Sequence, residues 1–186
     1  ATQGNFFSQY VRSQDLFEEQ LEAVVQSDVQ VFAAGVGTPP AVLARAKAAG
    51  QHTIALVGTP RHAEKAMAAG VDILVAQGYD AGGHTGQIGT FSLVPQIVAC
   101  AGGRPVIAAG GIGTGAQVAA SFALGAQGAW LGTLWLGTRE HALPPALVAK
   151  LMAAGSEDTV ITRAHSGKPC RVVRSAFSDA WAETGA

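Results

Sequence analysis

The sequence predicts an α/β protein built on a parallel sheet, and three observations carry that reading. Short apolar runs rich in strand-forming residues recur along the chain. An alanine-rich helical stretch separates each run from the next. Gly or Pro bounds nearly all of them. Alternation of this kind marks βα units. The runs are apolar almost throughout, as expected of strands covered on both faces.

The elements follow in order. A polar helical stretch, 14–26, opens the pattern and strand 29–34 follows it. Helix 40–49 starts at Thr38-Pro39-Pro40, a capping hydroxyl set before prolines, and stops at Gly50. Strand 53–57 leads to helix 61–69, where Thr59-Pro60 supplies the cap and the first helical residue and Gly70 the stop. Proline suits the first helical turn because its missing N–H has no helical partner there. Glycine accepts the left-handed conformation that closes a helix. Strand 72–76, a glycine-rich loop and helix 93–101 come next. Strand 105–109 is followed by a second such loop and by helix 115–124, closed at Gly125. Strand 129–131 and helix 147–154 complete the series. A loop at Ser166-Gly167-Lys168-Pro169 then leads to a last segment ending near Trp181.

Five βα units result, expected as a single unit over residues 1–186. A closed barrel needs eight strands and typically about 250 residues. The expectation is therefore an open doubly wound sheet or the C-terminal five βα units of a (β/α)8 TIM barrel. The order of the glycine-rich loops favours the barrel.

Composition narrows the function. Hydrophobic residues make up 48% and charged residues 13% of the 186, which argues against disorder. The net charge is −1, with no dense Lys/Arg cluster, so neither a nucleic acid nor an anionic membrane is an expected partner. No apolar run is long enough to span a bilayer, and no basic segment with an apolar core opens the chain. Cys100 and Cys170 form no C-x-x-C pattern and read as reduced thiols in a cytoplasmic protein. No H-E-x-x-H or similar spacing calls for a metal. G-x-S-x-G is absent, and Gly110, Gly113 and Gly115 do not match G-x-G-x-x-G.

On a parallel sheet, chemistry sits at the carboxyl ends of the strands. After strand 105–109 comes Gly110-Gly111-Ile112-Gly113-Thr114-Gly115, and after strand 129–131 comes Gly132-Thr133. Glycines let backbone N–H groups approach a phosphate unobstructed, and the start of helix 115–124 adds a positive dipole end. Barrel phosphate sites are built from the loops after strands seven and eight, where these two would fall. Tight turns alone are the plainer reading of either loop, but two adjacent strands ending this way favour the phosphate.

After strand 72–76 comes Gln77-Gly78-Tyr79-Asp80-Ala81-Gly82-Gly83-His84-Thr85-Gly86, a flexible loop that holds one imidazole just past a strand end. Gly82 and Gly83 permit a backbone path that a side chain would block. A histidine titrates near neutrality and suits proton abstraction, so His84 is the candidate base. His52, His62, His141 and His165 sit in contexts that give them no such role.

At this point the residues resemble a family. The stretch from Val75 to Gly86, with its Ala81-Gly82-Gly83-His84, resembles the motif of nitronate monooxygenases, once called 2-nitropropane dioxygenases. Pro105-Val106-Ile107-Ala108-Ala109-Gly110-Gly111-Ile112 resembles their seventh strand and phosphate loop, and the stretch from Gly125 to Thr133 resembles their eighth. The likeness runs from about Val29 to Phe177 and includes Ser166-Gly167-Lys168-Pro169-Cys170-Arg171. It implies an FMN-dependent TIM barrel. His84 would act as base or as hydrogen-bond donor to a nitro group. Gln77 would contact the flavin. The backbone at Gly82, Gly83, Gly110, Gly111, Gly132 and Thr133 would line its ribityl and phosphate. The implied partners are a nitronate or nitroalkane and O2, with no metal. A homo-oligomer is compatible with the sequence, which does not fix the assembly.

An FMN- and NAD(P)H-dependent enoyl-ACP reductase of the same fold carries a similar loop and stands as the alternative. A non-catalytic FMN- or phosphate-binding module is the alternative from another class. Two departures from the pattern are visible. Three family strands before 29–34, with an Ala-Pro-Met-type segment in the first, have no counterpart, so the whole protein is expected to be longer. Leu134-Trp135 stands where the family more often has Arg-Phe.

Overall fold

A computed structural model describes residues 14–35 and 39–184. Its elements run α1 Gln14–Val25, β1 Val31–Ala34, α2 Pro40–Ala48, β2 His52–Val57, α3 Pro60–Ala68 and β3 Ile73–Gln77. Then come β4 Gly83–His84, α4 Thr90–Cys100, β5 Val106–Ala109, α5 Gly115–Ala123, β6 Gly128–Trp130 and a 3-10 turn Thr133–Gly137. The chain continues with α6 Pro145–Ala153, a 3-10 turn Ser156–Asp158, β7 Thr159–Thr162, β8 Cys170–Val173 and α7 Ala176–Glu183. No helix among the described residues is long and apolar enough to cross a membrane.

The five predicted strands pair in one all-parallel sheet, ordered β1-β2-β3-β5-β6. Successive residues of a strand point to opposite faces, and the core divides accordingly. Ala55, Val57, Leu74, Ala76, Val106 and Ala108 pack with Leu43, Ala63, Leu93 and Ile97 of the helices. Ile54, Val75 and Ala109 lie on the opposite face, with Leu56, Ile73 and Ile107 packed against them. Burying a side chain such as Leu74 or Leu93 contributes roughly 1.5–3 kcal/mol, so the helix face dominates the stability of the layer.

Local signals placed most boundaries. Thr59 accepts the His62 amide at 3.1 Å, with Pro60 opening α3. Gly50, Gly70 and Gly125 follow α2, α3 and α5, all at positive φ. The predicted cap at Thr38 lies outside the described residues, and α2 begins at Pro40 directly after Pro39. Helix α4 starts at Thr90 rather than near 93, because the Asp80 carboxylate, from the loop after β3, accepts the Thr90 amide at 2.7 Å. Pro95 therefore lies inside a helix whose first turn is anchored from outside.

A second sheet, antiparallel and ordered β4-β8-β7, is the main departure from expectation. The stretch that holds His84 is not a free loop. Gly83 pairs with Arg171 and His84 with Cys170, and β8 pairs in turn with β7. These strands are two to four residues long and pair over as many as 88 positions, so no local pattern announces them.

At the amino ends of β2 and β3, the Asp72 carboxylate accepts the Thr53 amide and hydroxyl, both at 2.8 Å, and pairs with the Lys47 ammonium at 2.7 Å. Burial pushes the carboxyl up. Lys47 and Thr53 outweigh that and hold it at about 2, below its ordinary 3.8. A depressed carboxyl stabilises the fold above its unfolded value, and that contribution is lost as pH falls toward about 2. Allowing for the partial exposure of the pair, Asp72→Asn should cost about 1 kcal/mol at neutral pH. The difference from the parent should vanish as the pH approaches the native value of about 2. Urea denaturation at several pH values measures both.

Candidate functional site

Parallel strands deliver their carboxyl ends to one side of the sheet, and the loops after β3, β5 and β6 meet there. They line a cavity of about 1090 Å³. Gln77, Gly82, Gly83, Gly110, Gly111, Gly132 and Thr133, all named from sequence, lie on its wall. Trp130, Leu134, Trp135 and Met152 form an apolar side.

The loops fit together through absent side chains. A Cβ on Gly78 would collide with the backbone and hydroxyl of Thr90. One on Gly110 would lie 2.9 Å from the Thr90 hydroxyl, 3.0 Å from the Ala81 nitrogen and 3.1 Å from the Gly78 carbonyl. The Thr90 hydroxyl donates to the Gly110 carbonyl at 2.9 Å. A Cβ on Gly82 would stand 2.8 Å from the Thr133 hydroxyl, so the β3 and β6 loops also touch. The Thr90 amide holds the Asp80 carboxyl below the ordinary carboxylate range, so the cap is ionised at neutral pH.

Backbone donors on both turns lack a protein acceptor. Gly111 and Gly132 line it with Ile112, and the amides of these three residues have no acceptor among the described residues. Gly110 and Gly111 have φ of 105 and 70, and Gly132 has no atom within 4 Å of where a Cβ would stand. The contribution expected from the start of α5 is smaller than the sequence implied. Gln117 Oε1 already accepts the Gly113 and Thr114 amides, at 2.9 and 3.0 Å, within a capping box with Thr114. The amides of Gly111, Ile112 and Gly132 therefore remain among the backbone donors of these turns without a protein acceptor.

His84 is not on the cavity wall, although its neighbour Gly83 is. Directly opposed residues of an antiparallel pair share a face. His84 therefore shares its face with Cys170, and Arg171, which does line the cavity, projects from the other. The imidazole is exposed, and its Nε2 is 2.6 Å from the Ser166 hydroxyl. Gln77 ties this strand to the wall by donating its Nε2 to the His84 carbonyl at 3.2 Å. Sequence reasoning missed Ser166 and Arg171 as site residues. Both lie in the stretch that carried the resemblance, but the pairing of β8 with β4, which brings them to the site, was not legible. Cys170, across from His84, has its thiol pushed up by burial.

Fold and site together define part of a βα barrel with a cavity at the carboxyl ends of its strands. The family model for nitronate monooxygenase matches residues 3–184, and the chain belongs to that family. It is 45% identical over 168 residues to Rv1533 of Mycobacterium tuberculosis, a protein with a monooxygenase name, covering 89% of this chain and 44% of that one. FabK of Thermotoga maritima superposes with a TM-score of 0.83 at 34% identity, over 91% of this chain and 54% of that one. A nitroalkane oxidase of Streptomyces ansochromogenes superposes at 0.80 and 36% identity, over 88% and 50%. The chain thus spans about half the length of the curated relatives it matches.

The junction at Thr90 makes a direct prediction. Gly78→Ala should destabilise the protein by roughly 3 kcal/mol or more, since backbone rather than a flexible side chain opposes the new methyl. Gly115→Ala, at a position with open space, should change stability by less than about 1 kcal/mol. Thermal or urea unfolding of the two variants decides.

Proposed function

We propose that this chain forms the phosphate-binding side of an FMN-dependent oxidoreductase that oxidises nitronates or nitroalkanes with O2. The observation that carries the reading is the convergence of two adjacent glycine turns on one cavity, with the amides of Gly111, Ile112 and Gly132 free of protein acceptors. A phosphoryl group fits that donor set. The space over Gly132 is open, whereas Asp80 stands beside Gly111, its Cβ 2.9 Å from where a Gly111 Cβ would lie. Gly82, Gly83 and Thr133 would line the ribityl chain, and Gln77 would face the ring system. Bound there, the flavin supplies the redox chemistry that no side chain can.

The chain's own residues bind, orient and move a proton. In the tautomer whose Nε2–H donates to Ser166, the Nδ1 lone pair of His84 is left to accept the α-proton of a nitroalkane. In the other tautomer Nδ1–H donates to the oxygens of a nitronate already ionised. Such a positioned base typically contributes about 10²–10⁴-fold. The bond to Ser166 fixes the ring, and Gln77 fixes the backbone that carries it. Residues 1–186 act in this reading as one portion of the barrel. The partners are small molecules rather than nucleic acid or membrane, and the two free thiols accord with a cytoplasmic setting.

The cofactor reading is tested by titrating the protein with FMN. Gly132→Glu should weaken FMN binding by about 100-fold or more, because a carboxylate then faces the phosphate, while leaving unfolding of the apoprotein unchanged. Equal FMN affinity in the two proteins would remove the site. For the reaction, anaerobic mixing should bleach the bound flavin with nitronate and not with NADPH, and the reverse pattern would favour enoyl reduction. His84→Asn should lower turnover of a neutral nitroalkane by about 10²-fold or more and act less on the preformed nitronate. Unchanged turnover of the neutral substrate would strip His84 of the role of base.

A further inference from the structure

Arg171 is the one cationic side chain on the cavity wall; it makes no close ion pair among the described residues, though its charge helps lower the Asp80 carboxyl on the same wall. Its bonds go instead to two separate segments. Nη2 donates to the Tyr79 carbonyl at 3.1 Å and Nη1 to the Thr159 hydroxyl at 3.0 Å. The guanidinium carbon lies 4.8 Å from the centre of the Tyr79 ring. Nε is buried and has no partner. One planar fork thus joins β7, β8 and the turn after β3. Across the strand pair stands Gly83, one residue before His84.

The sheet that carries His84 has few other ties to the barrel. Thr85 contributes a bond from its hydroxyl to the Gly78 carbonyl, at 3.0 Å, while its amide bonds within the small sheet to the Pro169 carbonyl, at 3.4 Å. Gln77 contributes the bond already described. Arg171 adds to these a charge-assisted pair of bonds and a stacked face. An ammonium cannot reproduce that combination, because it lacks both the planar fork and the stacking surface.

We propose that Arg171 is a positioning residue for His84. Its guanidinium clasps the β4-β8-β7 sheet to the Tyr79 turn and so fixes where the imidazole stands. The proposal rests on the reading of His84 as the proton-handling group, but the clasp itself can be measured without turnover.

Amide hydrogen exchange is compared between the flavin-loaded protein and its Arg171→Gln variant. The amides of β4 and β8 should exchange about tenfold faster in the variant, as expected when about 1 kcal/mol of local hydrogen bonding is lost, while β3 and β5 keep their protection. Arg171→Lys should behave like Arg171→Gln despite its charge. Thr159→Val, which removes one acceptor, should give a smaller acceleration in the same strands and serves where the arginine variants fail to fold. In parallel, kcat for a neutral nitroalkane should fall about tenfold in Arg171→Gln, with KM for the preformed nitronate within about twofold of wild type. Unchanged exchange in β4 and β8, acceleration spread equally over β3 and β5, or full rescue by lysine would each overturn the proposal. Selective loosening of β4 and β8 in a protein that turns over no nitroalkane would establish the clasp and refute the function assigned to His84.

Discussion

Much of this molecule depends on how closely two backbone turns approach one threonine. Thr90 opens α4, and its amide is held by Asp80 while its hydroxyl holds the Gly110 carbonyl. Gly78 and Gly110 press against it from two strands, at distances that no Cβ would survive. The junction places the loop after β3 against the loop after β5. Without it, the glycine turn at Gly110–Gly111 and the stretch that leads to His84 would have no common frame. Glycine at these two positions is thus demanded by packing among protein atoms, before any ligand is considered. The same absence of side chains then leaves neighbouring amides open to the cavity.

A division of labour follows along the sheet axis. At the amino ends, Asp72 and Thr53 lock β2 to β3, with Lys47 of α2 on the Asp72 carboxylate, away from the cavity lined by the glycine turns. At the carboxyl ends, backbone donors lack partners, apolar side chains such as Trp135 and Met152 stay exposed, and Arg171 keeps an unpaired Nε. Unpartnered donors thus gather at the carboxyl ends around the tightly packed Thr90 junction, although the buried Gln51 Oε1 at the amino end also lacks a partner. Residues poised to bind a ligand are costly to a fold, which tolerates them only where the rest of the sheet is well tied.

The small antiparallel sheet modifies the simple picture of a histidine in a mobile glycine loop. Pairing with β8 converts that stretch into a strand with a defined facing rule. The rule sends the imidazole toward Ser166 and the guanidinium of Arg171 toward the cavity. His84 and the cavity wall are therefore separate structures, joined through the Gln77–His84 bond and through Arg171.

The five βα units, their order and the glycine turns at Gly110–Gly111 and Gly132 were legible in the residues themselves. They depend on local periodicity, capping and turn chemistry, which act over a few positions. The seven cavity residues named from sequence were legible for the same reason, since each lies at or just past a strand end. Tertiary structure alone decided the start of α4 and the existence of β4, β7 and β8. It also decided which face His84 and Arg171 occupy. Those features arise from contacts between residues far apart in the chain, such as Asp80 with Gly111 or Gly83 with Arg171. A two-residue strand has no periodicity to read, and it exists only because folding brings its partner alongside.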